Sequence, residues 1–258
     1  MPRIPRVKSN SGIYHIMLRG ANRQEIFHDD YDRSRFLDVV AKYKTQSEMI
    51  IYAWCLMSNH VHLLVKEGNE DISVTMKRIG VSFVWYYNSK YHTNGHLFQD
   101  RFRSENVETY PYLLRVIRYI HQNPVKAGIV ERVDAWKWSS CRGYYGKSLV
   151  SENLLDQQYI LRHFSDNLFI AKERFKEFNE ILDNDSFLDE RASRKRLTDQ
   201  EAGMEIKKLL GIMEIAQVKS LPKTERTKVL RTIKELNGLS LRQASRILGV
   251  SPSLINRA

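Results

Sequence analysis

The chain has 258 residues, room for one large domain or a medium domain with a small companion, and 42% hydrophobic content lets it bury a sizeable core. Two cysteines, Cys55 and Cys141, are too few for a disulfide scaffold or a zinc cluster, and no apolar stretch reaches membrane-spanning length. The formal net charge of +11 divides into +8 over residues 1–147, −6 over 148–190 and +9 over 191–258, two basic stretches suited to a polyanion around an acidic middle.

Residues 1–11 read as an exposed basic lead-in with no apolar run behind it, so the expectation is a cytoplasmic protein with no membrane partner. Ile13 to Leu18 alternates as a first strand and ends at Arg19-Gly20. Asp30 is the expected cap of a helix whose apolar positions Phe36, Leu37, Val40 and Tyr43 recur at helical spacing. Two strands follow, Ile50–Met57 and Val61–Lys66, joined through Ser58-Asn59. Side chains in a strand alternate, so His60 and His62 share one face while Val61 takes the other. Two imidazoles so placed can grip one divalent cation, given a third ligand from elsewhere. The plain alternative is a pair of strand histidines with no ligand.

Asp71-Ile72-Ser73 opens a second helix, with Val74, Met76, Ile79, Phe83, Val84 and Tyr87 as its expected buried stripe. A polar break at His92–Gly95 leads to a strand around Arg101–Val107. Thr109-Tyr-Pro111 starts a further helix, expected to run to Asn123 and stop at Pro124. Tyr119 and Asn123 lie one turn apart on the same face of it. The order strand, helix, strand, strand, helix, strand predicts an α+β, ferredoxin-like antiparallel sheet with helices on one face. Trp136, Trp138, Tyr144 and Tyr145 read as a wrap packing back on this domain.

Residues 148–190 read as an acidic helical connector, with Phe164, Phe169, Phe175, Phe178 and Leu182 as its apolar positions and a boundary at Asp183–Ser186. Residues 191–258 read as an all-α module, with helices at Glu201–Met213 and Thr224–Leu236 and a cap signal at Asn237-Gly238. Its last part, Leu241–Leu248, Gly249 and a helix opened by Pro252, resembles a helix-turn-helix. That likeness makes Ser251, Ser253, Asn256 and Arg257 the candidate DNA contacts of the tail.

Met57-Ser-Asn-His-Val-His-Leu-Leu-Val65 resembles the His-hydrophobic-His (HUH) motif of the IS200-like single-tyrosine transposases, including those associated with bacterial repetitive extragenic palindromes (REP). Four more blocks follow the same pattern in order: Tyr14–Phe27, Phe98–Ser104, Arg118–Val125 and Trp138-Ser139-Ser140. Together they place residues 1–147 as the catalytic domain, and they say nothing of the last hundred or so residues.

The resemblance implies that Tyr119 is the nucleophile and that His60 and His62 hold Mg²⁺ or Mn²⁺. Asn123 stands where better-studied relatives carry a glutamine as third ligand, with His121 and Gln122 as alternatives whose helical phase points elsewhere. It also implies cleavage and rejoining of single-stranded or hairpin DNA through a 5′-phosphotyrosine, with a homodimer possible. No nucleotide cofactor is expected, since no Gly-rich phosphate loop is present. Arg19, Arg23, Arg101 and Arg103 are the candidates for holding the DNA, and Tyr86, Tyr87, Tyr110 and Tyr112 are expected to be structural. The rival reading is a DNA-binding regulator that keeps the fold and the tail but does not cut.

Overall fold

Four strands form one antiparallel sheet in the order β2-β3-β1-β4: β1 Ile13–Arg19, β2 Ile50–Leu56, β3 His60–Lys66 and β4 Arg103–Asn106. The structure is a computed structural model, and it describes residues 7–181, 197, 199–211, 213–236 and 238–258. They form two compact units, Met1–Leu188 and Asp189–Ala258. Helices α1 (Asp30–Ser47) and α2 (Ile72–Tyr91) connect the strands as the ferredoxin-like order requires.

Period-two alternation divides the strand residues between two cores. Tyr14, Ile16, Leu18, Trp54, Leu56, Val61, Leu63 and Val65 meet α1 and α2. Ile13, Ala53, Cys55 and Leu64 face the other way, against α3 (Tyr110–Lys126). The expected pair of helices therefore covers one face, and α3 covers the second.

The cap of α1 is Asp29 rather than Asp30. Its carboxylate accepts from Asp32 N at 2.8 Å, and the Asp32 carboxylate reaches back to Asp29 N at 3.3 Å. Asp32 is fully buried and also accepts from the Tyr86 and Tyr91 hydroxyls and the Lys90 ammonium, each at 2.7 Å. Burial alone would raise its pKa, but those donors hold the carboxyl down at about 2. The cluster staples α1 to α2 and gives Tyr86 a structural task. Of the stripe expected on α2, Val74 is exposed and the rest is buried or half-buried.

Helix α3 does not stop at Pro124; it runs three positions past Asn123, to Lys126. Proline removes one backbone N–H and crowds the carbonyl four residues back. In the last turn that loss is small, and Ala127 N still closes the turn onto Asn123 O at 3.0 Å.

Residues 148–181, expected as a connector, instead thicken the second core. Behind α4 (Cys141–Tyr144), helices α5 (Gln158–Leu161) and α6 (Leu168–Glu180) bury Ile160, Leu161, Ala171 and Phe175 with α3. Phe164 and Phe178 are half-buried and Phe169 is exposed, while Leu182 and Asp183–Ser186 lie outside the described residues. The tryptophan wrap covers the β2 edge: Trp136 Nε1 donates to Leu56 O at 2.9 Å, and Leu56 N donates to Trp138 O at 3.0 Å.

The second unit holds α7 (Asp199–Leu210), α8 (Lys223–Lys234), α9 (Leu241–Leu248) and α10 (Pro252–Arg257) around Ile206, Leu230, Ile233, Ala244, Leu248 and Ile255. Between α9 and α10, Gly249 takes φ +64, a left-handed conformation that glycine adopts without cost, and Ser251 caps α10 by accepting from Leu254 N. Asn237 of the expected cap lies outside the described residues, while Gly238 is left-handed at φ +85. No described helix is long and apolar enough to cross a membrane.

Candidate active site

Residues directly opposite on paired strands point to the same face. The β1–β3 register sets His60 opposite Arg19, His62 opposite Met17 and Leu64 opposite His15. The β1–β4 register adds Arg103 opposite Met17 and Glu105 opposite His15. Because Leu64 and Ile13 pack beneath α3, this whole polar row lies on the α3 side of the sheet.

His60 and His62 share that face, as their spacing requires, with ring centroids 5.0 Å apart. Tyr119 stands edge-on to His62 at 5.7 Å and to His15 at 5.9 Å. One chain thus brings the tyrosine and the histidine pair together, with Lys126 Nζ 5.2 Å from the centre of the tyrosine ring. Asn123 is buried one turn beyond Tyr119 on the same face of α3. The alternatives are committed elsewhere. His121 bonds to Asn179 and Ser140, and Gln122 Nε2 donates to Asn179 O and Ile181 O at 2.9 and 2.8 Å.

His15 is the member that the motif did not disclose. Its Nε2 lies 3.0 Å from His62 Nδ1, both side chains are fully buried, and the rings stack at 5.2 Å. Its place two residues from Met17 puts it on the histidine face, but only the strand register brings it beside His62.

The donor set suits a divalent cation. Asn59 Oδ1 can only accept, so its 2.6 Å contact makes His60 Nδ1 the donor, the tautomer whose lone pair is on Nε2. His62 Nδ1 meets His15 Nε2, and the tautomer of His62 that donates there would likewise carry its lone pair on Nε2. Among the described residues no cluster of three or more His, Cys, Asp and Glu could hold a metal ion, so a cation at the histidine pair would need amide or substrate oxygens as well.

The arginines distribute around this row. Arg19, Arg101 and Arg103 line a cleft of about 150 Å³ with Met17, Gln99 and Asp100. Arg23 is exposed in the loop after β1, and its carbonyl accepts from Asn59 Nδ2 at 3.2 Å, which ties that loop to the His60 end of β3. The loop is tight at Gly20, where a Cβ would sit 2.2 Å from Gln24 O. Asn22 and Arg23 follow it in the left-handed region, at φ +53 and +63. In the second unit Ser251, Ser253, Asn256 and Arg257 are all exposed on or beside α10. Tyr110 stacks on His163 at 3.9 Å, Tyr112 contacts Arg115, and Tyr87 bonds to His28 at 2.8 Å.

Part of this chain is similar to known proteins. Residues 8–123 match the family model described as "Transposase IS200 like". A curated protein of Escherichia coli K12, the REP-associated tyrosine transposase, is 25% identical over 146 residues, which cover 54% of this chain and 84% of that protein. A solved structure described as the REP-associated tyrosine transposase bound to a REP hairpin aligns with a TM-score of 0.48 at 22% identity, covering 58% of this chain and 90% of that one. Residues 8–123, which carry the histidine row and Tyr119, are thus similar to the IS200-like transposases.

Proposed function

We propose that the protein is a metal-dependent single-strand DNA transposase or endonuclease that cuts and rejoins hairpin or palindromic ends. The supporting observation is Tyr119 set against His62 and His15 on the sheet face that also carries His60. Tyr119 Oη attacks the scissile phosphorus, the 3′-oxygen leaves, and the phenolic proton is balanced by the one the new 3′-hydroxyl takes up. The DNA stays joined through a 5′-phosphotyrosine, so the reverse attack by a 3′-hydroxyl rejoins strands with no nucleotide cofactor. His60, His62 and Asn123 would hold Mg²⁺ or Mn²⁺, which when bound would polarise the phosphate and neutralise developing charge.

The protein's own groups do the rest. Asn59 fixes the tautomer of His60, and His15 bonds to and orients the His62 ring. Arg19, Arg23, Arg101 and Arg103 hold the strand by its phosphates. In the tail, α9 and α10 act as a helix-turn-helix, with Ser251, Ser253, Asn256 and Arg257 toward duplex DNA. The work is done in the cytoplasm, and a homodimer, if formed, is not needed to assemble the site, because tyrosine and histidines meet within one chain.

The test is a covalent adduct. Wild type incubated with hairpin DNA and Mg²⁺ should give a DNA-linked band that survives boiling and maps to Tyr119. Tyr119→Phe should bind the same DNA and give no band. An adduct that persists in the variant would falsify the nucleophile assignment. Tight binding to a confirmed target with no wild-type adduct would support the silent regulator instead.

A further inference from the structure

Helix α2 carries a second face that the reaction leaves unexplained. Opposite its buried stripe, Val81 is 61% exposed and Trp85 72% exposed. These residues wall a cleft of about 940 Å³, the size of a ligand site, whose far side is the segment 96–102. Phe98 and Phe102 line that far side, while Lys77 and Arg101 stand among its lining as cations.

Gly80 is the second, independent observation. A glycine in a helix interior costs about 1 kcal/mol relative to alanine and needs a reason. Its φ is not in the left-handed region, and a Cβ built there meets nothing within 4 Å. Among the described residues neither backbone strain nor close packing calls for it. What glycine does here is keep the wall of the cleft bare, so that a ligand can lie against the helix backbone.

The cleft is continuous with the arginine cluster, since Gln99, Asp100 and Arg101 line both. The Asp100 carboxylate in the shared wall accepts from Arg101 N at 2.6 Å. The cleft lies on the α1–α2 side of the sheet, where Leu18 lines it, so a DNA strand leaving the histidine row would reach it by rounding the β4 edge past Arg103 and Arg101. Cationic grooves with exposed aromatic platforms are how proteins hold unpaired nucleotides, because every base has a face that stacks.

We infer that this cleft binds unpaired nucleotides flanking the reacting phosphate, with Trp85 as the stacking platform and Lys77 and Arg101 on the backbone. The inference rests on reading the histidine face as the place where a DNA strand is held.

The experiment uses the full chain and two probes, a dT12 oligonucleotide and a blunt hairpin with no unpaired ends. Binding of dT12 should quench tryptophan fluorescence in wild type, and Trp85→Phe should lose that quench. Trp85→Ala should weaken dT12 binding roughly tenfold or more, as removal of a stacking platform does. Gly80→Phe, which fills the cleft without a clash at Cβ, should do the same with an unchanged circular dichroism spectrum. Blunt-hairpin binding should be unaltered in both. Equal dT12 affinity in wild type, Trp85→Ala and Gly80→Phe overturns the inference. So does a wild-type dimer in sedimentation that Gly80→Phe dissolves without DNA, since the cleft would then seat a second copy. The adduct assay separates the two readings. Loss of dT12 binding in the variants with no wild-type adduct keeps the cleft and removes the transposase chemistry; an adduct with unaltered dT12 affinity does the reverse.

Discussion

Helix α3 has buried histidines on both sides, and the two groups are built differently. Toward the sheet, His15, His60 and His62 line up with Tyr119, so several titratable rings converge at one place. Toward α6, His121 stands alone and is closed on every side. Its Nδ1 meets Asn179 Oδ1 at 3.1 Å, its Nε2 meets Ser140 Oγ at 2.9 Å, and Tyr144 and Phe175 pack on the ring. Burial pushes its pKa down to about 3 against the opposing hydrogen bond from Asn179, so the ring is neutral and fixed. Burial therefore does not tell a chemical histidine from a structural one. What separates them is whether the partners are other reactive groups or spent donors and acceptors.

If the sheet side is the chemical one, its substitutions should carry the largest effects. His60→Ala or His62→Ala should abolish adduct formation and weaken Mn²⁺ binding beyond calorimetric detection, with the fold retained. EDTA should mimic the loss, and Mg²⁺ or Mn²⁺ should restore only wild type. Full cutting in EDTA would remove the metal from the proposal.

His15 should have a smaller effect, because it acts through His62. His15→Leu should weaken Mn²⁺ affinity roughly 10- to 100-fold, the usual cost of removing an outer partner of a metal-bound histidine. His15→Gln, which can still accept a hydrogen bond, should recover part of it. Equal Mn²⁺ affinity in both variants would leave His15 as packing only.

The tail should matter less still to chemistry. Removing residues 189–258 takes away a strongly basic unit with its own core, so cutting of short single strands should persist. Duplex binding should weaken, and each lost phosphate contact should flatten the log–log salt dependence by roughly 0.9. An unchanged slope would mean that α9 and α10 are not a DNA reader.

Much of this was legible in the sequence. Alternation placed His60 and His62 on one face, and helical spacing placed Tyr119 and Asn123 together. The missing parts depend on pairing. His15 becomes visible only once β1 is registered against β3, because sequence shows which residues share a face of a strand but not which neighbours they meet. Phe169 read as core by composition, yet it lies on the outer side of α6. Pro124 reads as a stop because a proline's cost depends on its distance from the helix end, which the sequence does not show. Trp85 and Gly80 carry no signal in the sequence, since a cleft belongs to two segments and to neither alone.

The smallest expected effect tests the quiet side of α3. In the unfolded chain His121 takes up a proton near its ordinary pKa of about 6.5, whereas the folded ring holds none until about pH 3. Between those values the unfolded state binds more protons, so stability must fall as pH falls. The slope approaches about 1.4 kcal/mol per pH unit, which makes the loss between pH 7 and 5.5 on the order of 1.4 kcal/mol. Asp32 does not interfere, because its carboxyl is lowered and its contribution is lost only as pH falls below about 4. All four tryptophans, at 54, 85, 136 and 138, lie in the first unit, so their fluorescence follows the unfolding of that unit alone. His121→Gln removes the titration and keeps polar atoms for Asn179 and Ser140. It should lower stability at pH 7 and yet close the gap to wild type by about 1.4 kcal/mol at pH 5.5 in urea titrations. Parallel pH profiles for the two proteins would mean that His121 is protonated, or reached by water, in the folded state. In that case the contrast between the two sides of α3 would fail, and the His121 side would have to be searched for chemistry as well.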